Sequence, residues 1–225
     1  ISVYVGKHKG SASTADLSME ALALAVEKAV DIAKYTSEDP CTGLADAELI
    51  ATEFPDLDLY HPVPLDPQQA IKTAVAAESA ALDYDPRITN SDGASYNANM
   101  GMRVYGNTHG INAGYTSSGG SLYRRSSFLL DKLGSQVFPE WLNIVERPHI
   151  KGGLASSNFD HEGVATKDMT IVDGGKLSTY LYTSYSARKL NTVSNGHAGG
   201  IHNWIVSDSG QSDAELLKTM DTGLY

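Results

Sequence analysis

The sequence predicts an α+β fold, and three observations carry that prediction. Apolar residues recur at helical spacing in the first third of the chain. From Ile88 the pattern changes to short strands broken by glycine turns, the mark of a β-meander. Past Trp141 a second β-rich block begins, and helices mixed with antiparallel meanders define the α+β class.

The elements follow in chain order. Ile1-Ser2-Val3-Tyr4-Val5 reads as a strand entered partway, with neither an initiator Met nor a signal-peptide pattern. Ser18 caps a helix whose apolar positions are Leu22, Val26, Ala29, Val30 and Ala33. Ser37-Glu38-Asp39-Pro40 ends it, because the residue before a proline resists the helical region. Asp66 and Pro67 form a cap and first-turn pair for a second helix with Ile71, Val75, Ser79 and Leu82 on one stripe. Both helices are expected on one sheet that contains Ile1–Lys7 and the strands of Ile88–Tyr115. In the second block, Met169–Val172 and Leu177–Ser184 flank the turn Asp173-Gly174-Gly175 as a hairpin. Gly196–Trp204 is a glycine-rich loop that feeds a strand. Ser212 and Glu215 have capping-box spacing and open a last helix. Residues 1–118 are expected to form an N-terminal α+β domain and 119–225 the start of a β-rich C-terminal one.

Composition narrows the function classes. Of 225 residues, 41% are hydrophobic and 20% charged, which suits a chain that buries a core. No apolar run approaches the roughly 20 residues of a membrane span. Cys41 is the only cysteine, so an intrachain disulfide is impossible and a reducing, cytoplasmic setting is expected. The net charge of -10 and the lack of Lys/Arg clusters argue against a nucleic-acid partner.

Few residues look able to do chemistry. His161-Glu162 begins a His-Glu-x-x-His pattern, but the second histidine would have to be Ala165, so the pair reads as an exposed loop with no zinc motif. His197 and His202 lie five residues apart around Gly199-Gly200, which suits a loop. Two readings stay open for it. The glycines let backbone approach a peptide, with His197, His202 and Trp204 orienting it, or the loop is a tight turn with His202 and Trp204 packed locally. Tyr180, Tyr182 and Tyr185 with Arg188 either line a peptide groove, the Arg reading a carboxylate, or are half-buried sheet surface. No metal is expected on any of these residues.

Five stretches, in order, resemble the PmbA (TldE) branch of the PmbA/TldD family, whose TldD–PmbA complexes cleave peptides. They are Lys9-Gly10-Ser11-Ala12-Ser13; Arg87-Ile88-Thr89-Asn90 with Asp92-Gly93; the run from Gly119 to Asp131; Thr183 to Leu190; and Gly196-His197-Ala198-Gly199-Gly200-Ile201-His202-Asn203-Trp204. The resemblance implies a cytoplasmic subunit of a metallopeptidase complex that degrades or processes peptides and unfolded segments. Its partner would be a TldD-like subunit in a homo- or hetero-dimer, and the zinc would sit on that subunit. The older description of family members as modulators of DNA gyrase finds no basic surface here to support it. In the zinc-carrying branch a His-Glu-x-x-x-His helix is expected where Ser118 meets Gly119, and this chain has none there. An internal segment and a C-terminal region of the family are therefore expected to be missing, with residues 118 and 119 too far apart for a peptide bond. Two alternatives remain: a non-catalytic binding or regulatory homodimer, and a self-sufficient peptidase whose ligands lie in the missing segment.

Overall fold

The computed structural model describes residues 1–61, 66–96, 101–117 and 131–208, with 210–212, 215 and 218 beyond. The 118/119 junction, the family-like run that follows it and most of the helix expected after Ser212 lie outside the described residues. At that last site Ser212 and Glu215 do exchange capping-box bonds, the Ser212 N–H donating to Glu215 Oε2 at 2.8 Å.

Helices and antiparallel sheets are mixed, as the α+β reading requires, but the sheets are smaller than expected. Strands β1 (Ser2–Val5) and β2 (His8–Ser11) form a hairpin. Helix α1 (Met19–Tyr35) lies on it through Ala25, Ala29 and Ala33, small residues at helical spacing that let helix and hairpin approach closely. The approach is closest at Gly10, where an added Cβ would sit 1.8 Å from the Ala29 carbonyl oxygen. Ser18 caps α1 as read from sequence, accepting the Ala21 N–H.

Helix α2 (Pro67–Tyr84) has the expected Asp66 cap and first-turn Pro67, yet it buries no residue. Ile71 and Val75 of the predicted stripe are 61% and 54% exposed. Strands β3 (Gly101–Gly106) and β4 (Asn112–Ser117) pair only with each other among the described residues. The single sheet under both helices is thus corrected to two separate hairpins, one carrying α1. Each strand takes its sequence neighbour as partner, and among the described residues no ladder joins the two pairs.

The second block is a four-stranded antiparallel sheet in the order β7-β6-β5-β8, built from β5 (Ile144–Glu146), β6 (Met169–Asp173), β7 (Lys176–Leu177) and β8 (Trp204–Val206). Ile144, Ile171, Val172 and Leu177 form its core, with Phe138, Leu181 and Trp204 packed against it. The hairpin turn at Gly174-Gly175 falls as predicted, but the strand expected over Leu177–Ser184 stops after two residues. Ser178 still donates its N–H to the Ile171 carbonyl of β6, and past it side chains take up much of the backbone. Asn195 holds the Tyr180 carbonyl and the Tyr182 N–H, and Glu162 accepts the Ser184 N–H. Helix α3 (Ser184–Lys189) then begins, closed by a capping box between Thr183 and Ser186. Tyr185 and Arg188 therefore lie on a helix, which corrects the reading of Tyr185 as one of a row of tyrosines on a strand.

A second core joins early and late parts of the chain. Ala45, Ile50 and Ala51 pack with Ile111, Phe159 and Val164.

Candidate functional site

The chemistry-bearing side chains converge where the 160–164 turn and the Gly196–Trp204 loop meet the end of β5. Alternation along β5 buries Ile144 and Glu146 on one face, so the strand carries a carboxylate into the interior. Glu146 is fully buried and accepts from three points of the loop. His197 Nε2 lies 2.9 Å from Oε1, the His202 backbone N–H reaches the same oxygen at 3.2 Å, and the Trp204 indole N–H reaches Oε2 at 2.5 Å. His197 Nδ1 is 2.9 Å from Asn195 Oδ1, and His202 Nε2 donates to the Gly196 carbonyl at 3.1 Å. Burial keeps the His202 imidazole below its ordinary pKa.

A second buried carboxylate, Asp160, ties the loop to the neighbouring turn. It accepts the N–H groups of Glu162 and Val164 on Oδ1 and that of Ala198 on Oδ2, at 2.8, 3.0 and 2.8 Å. Burial outweighs these three bonds and raises its pKa to about 6. The His161 N–H donates back to the Ala198 carbonyl at 2.7 Å, so the two loops run together as a clasp.

With its flanks held, the loop leaves Gly199, Gly200 and Ile201 at its apex. Gly199 has φ +106 and packs beneath the His161 imidazole, whose ring atoms would be 2.3–2.5 Å from an added Cβ. The His161 ring is itself surface-exposed. Its pKa is lowered, first by partial burial and then by the positive charge of Arg103, with Glu162 opposing. A neutral imidazole is present at the apex near neutral pH, able both to donate and to accept.

His197, Gly199, Gly200, His202 and Trp204, singled out in the sequence, thus lie in one site. Arg188 stands apart from it. Its guanidinium donates to the Cys41 and Leu44 carbonyls and pairs with Asp46 at 2.7 Å, fastening that loop to α3. Tyr185 does the same through its hydroxyl, which donates to Asp39 at 2.7 Å, while Tyr180 and Tyr182 stack edge to face. Among the described residues no three His, Cys, Asp or Glu side chains group as metal ligands would. Sequence reasoning missed Glu146 and Asp160. The two-residue alternation from Ile144 to Glu146 was the available signal for the first.

An α+β scaffold that presents a carboxylate-anchored glycine loop narrows the class, and similarity to known proteins completes it. A family model described as the PmbA/TldA metallopeptidase C-terminal domain matches residues 94–225, and one described as the central domain matches 60–125. The chain belongs to the PmbA/TldD family, on its PmbA branch. Metalloprotease PmbA of Escherichia coli O157:H7 is 40% identical over 304 residues, taking in all of this chain and 68% of the relative. A Haemophilus influenzae homologue of that metalloprotease is 42% identical over 305 residues, with the same shares. The crystal structure of TldE from Thermococcus kodakarensis overlays with a TM-score of 0.66 at 15% identity, over 96% of this chain and 69% of that one. A Thermotoga maritima protein described as a modulator of a DNA gyrase gives 0.68 at 18%, over 98% and 69%. At these identities the two structures show a shared fold. Among the described residues no helix is long and apolar enough to cross a membrane.

Proposed function

We propose that this chain is the zinc-free subunit of a cytoplasmic TldD/PmbA-type complex that cleaves peptides and unfolded segments, with a TldD-like partner supplying the metal. The observation that carries the reading is the clasped loop. Its flanks are locked by Glu146 and Asp160, while Gly199, Gly200 and Ile201 stay at the surface beside a neutral imidazole. Backbone N–H and C=O groups bare of side chains, on a loop whose flanks are fixed, suit an extended peptide of any sequence. Neither His-Glu-x-x-His nor His-Glu-x-x-x-His occurs in the 225 residues. Support for a missing internal segment comes from length. The E. coli match spans 304 residues against 225 here, so at least 79 positions face no residue of this chain.

The deciding experiment is a peptidase assay of the protein alone and with a TldD homologue, with zinc content measured on each. Cleavage is expected only from the pair, with zinc on the partner. A second arm alters the apex at Ile201, which is 48% exposed, so that Ile201→Glu leaves the core intact. It should cut paired cleavage roughly tenfold, as loss of about 1.4 kcal/mol of binding would. Valine at Gly199 would be the wrong probe, since the His161 ring occupies that space. Cleavage and zinc in the isolated protein would point to the self-sufficient peptidase, and no cleavage from the pair to the binding homodimer.

A further inference from the structure

The hydrogen-bond partners of His197 determine where its protons sit. The Asn195 amide has one permitted orientation. The Tyr182 N–H donates to its Oδ1 at 2.7 Å, and its Nδ2 donates to the Tyr180 carbonyl at 2.8 Å. Turning the amide over would set donor against donor and acceptor against acceptor. Oδ1 is therefore the atom that faces His197 Nδ1 at 2.9 Å, and Nδ1 must carry a hydrogen.

The same count applies at the other nitrogen. Glu146 receives two donors that have no choice of role, the His202 backbone N–H and the Trp204 indole N–H. Its Oε1 also lies 2.9 Å from His197 Nε2. A carboxylate offers only lone pairs, so Nε2 must carry a hydrogen as well. Were Glu146 neutral, Oε1 would have to donate to Nε2 while accepting from His202. Both oxygens already accept from a donor of fixed role, Oε1 from His202 and Oε2 from Trp204, which suits a carboxylate that offers only acceptors.

We infer that His197 is a buried imidazolium clamped between the Glu146 carboxylate and the Asn195 amide oxygen, and that it positions the 196–204 loop. Neither ring nitrogen has a lone pair left for a metal or for a proton from substrate. The side chains of the pair are 2% and 1% exposed. Burying two charges is tolerable only when they are paired and fully hydrogen-bonded, and both conditions hold here. The imidazolium links β5 to the 180–182 segment through the loop's own flank, which leaves the apex free to meet a ligand. This assignment stands whether or not that ligand is a peptide.

The test is ¹⁵N NMR of the full-length labelled protein at neutral pH. The His197 ring is assigned through backbone connectivities, so no variant has to fold. Two ring N–H signals are expected from His197, and both should stay in place when zinc chloride is added. A ring nitrogen of His197 with the shift of a bare lone-pair nitrogen would overturn the assignment. So would displacement of the His197 signals by zinc.

Discussion

Asp160 shows how one buried group can run against the chain's other carboxylates. Burial lifts its pKa from the ordinary 3.8 to about 6, so the folded state holds a proton that the unfolded chain has already released. The cost of burying the charge is felt in full above pH 6. It is relieved as pH falls through that value toward the unfolded one, a difference on the order of 3 kcal/mol at about 1.4 per unit. Asp85 is opposite in sign. Its hydrogen bonds to Arg87 hold it at about 2, and that contribution is present above the unfolded pKa and lost as pH falls toward 2. Chemical denaturation of the protein and of Asp160→Asn at pH 4, 5, 6 and 7 separates the two. Relative to the variant, the unsubstituted protein should gain stability from pH 6 to pH 4. Parallel stability curves would mean that Asp160 keeps an ordinary pKa.

At the scale of elements, the α1–hairpin unit is the most tightly specified and also the most legible. Gly10 is where the strand touches the helix, and a Cβ there would collide with backbone atoms of Ala29 and Ala33, which cannot swing aside as a side chain would. Gly10→Val should therefore destabilise the protein by about 1–3 kcal/mol, the usual range for overpacking. Thermal denaturation followed by circular dichroism would read it, and an unchanged Tm would mean that helix and hairpin separate freely. The caps of α1 and α2 and the Gly174-Gly175 turn were legible because they are local. Each is a side chain satisfying a backbone group two or three residues away, or a turn that depends on its own residues. The coil from Tyr180 to Ser184 was not legible, since the side chains that hold much of its backbone, Asn195 and Glu162, lie more than a dozen residues off. The stripe on α2 looked like a buried face for the converse reason: periodicity states what a helix could bury and is silent on whether anything is there to receive it. At the site, the glycines and histidines of 196–204 marked the loop. Glu146 and Asp160, which shape it, sit in unremarkable sequence; Asp160 also closes its own turn, but both reach the loop only when the chain brings its donors to them from 38 to 58 positions away.

On the scale of the whole molecule, one aromatic side chain connects the parts that the sequence separates. Phe159 is 1% exposed and lies in a core with Ala45, Ile50 and Ala51 from the first third and Ile111 from the middle hairpin. Phe54 meets it edge to face at 5.8 Å, and Tyr105 lies 6.4 Å away. Two backbone bonds run beside it, from the Ala51 N–H to the Gly163 carbonyl and from the Ala165 N–H to the Leu49 carbonyl, each 2.9 Å. Phe159 also directly precedes Asp160, so the core beneath it supports the turn that grips the glycine loop. Phe159→Ala should cost about 3–5 kcal/mol, combining lost burial with the cavity left behind. Because the core is shared, the loss should appear on both sides of it. Hydrogen exchange at the amides of Ala51 and Ala165 is the measurement, with the amides of α1 and β6 as reporters further out. All four are expected to exchange faster together, as in one cooperative unit. Faster exchange confined to residues beyond 131, with α1 unaffected, would show instead that residues 1–118 and the later block unfold as separate domains.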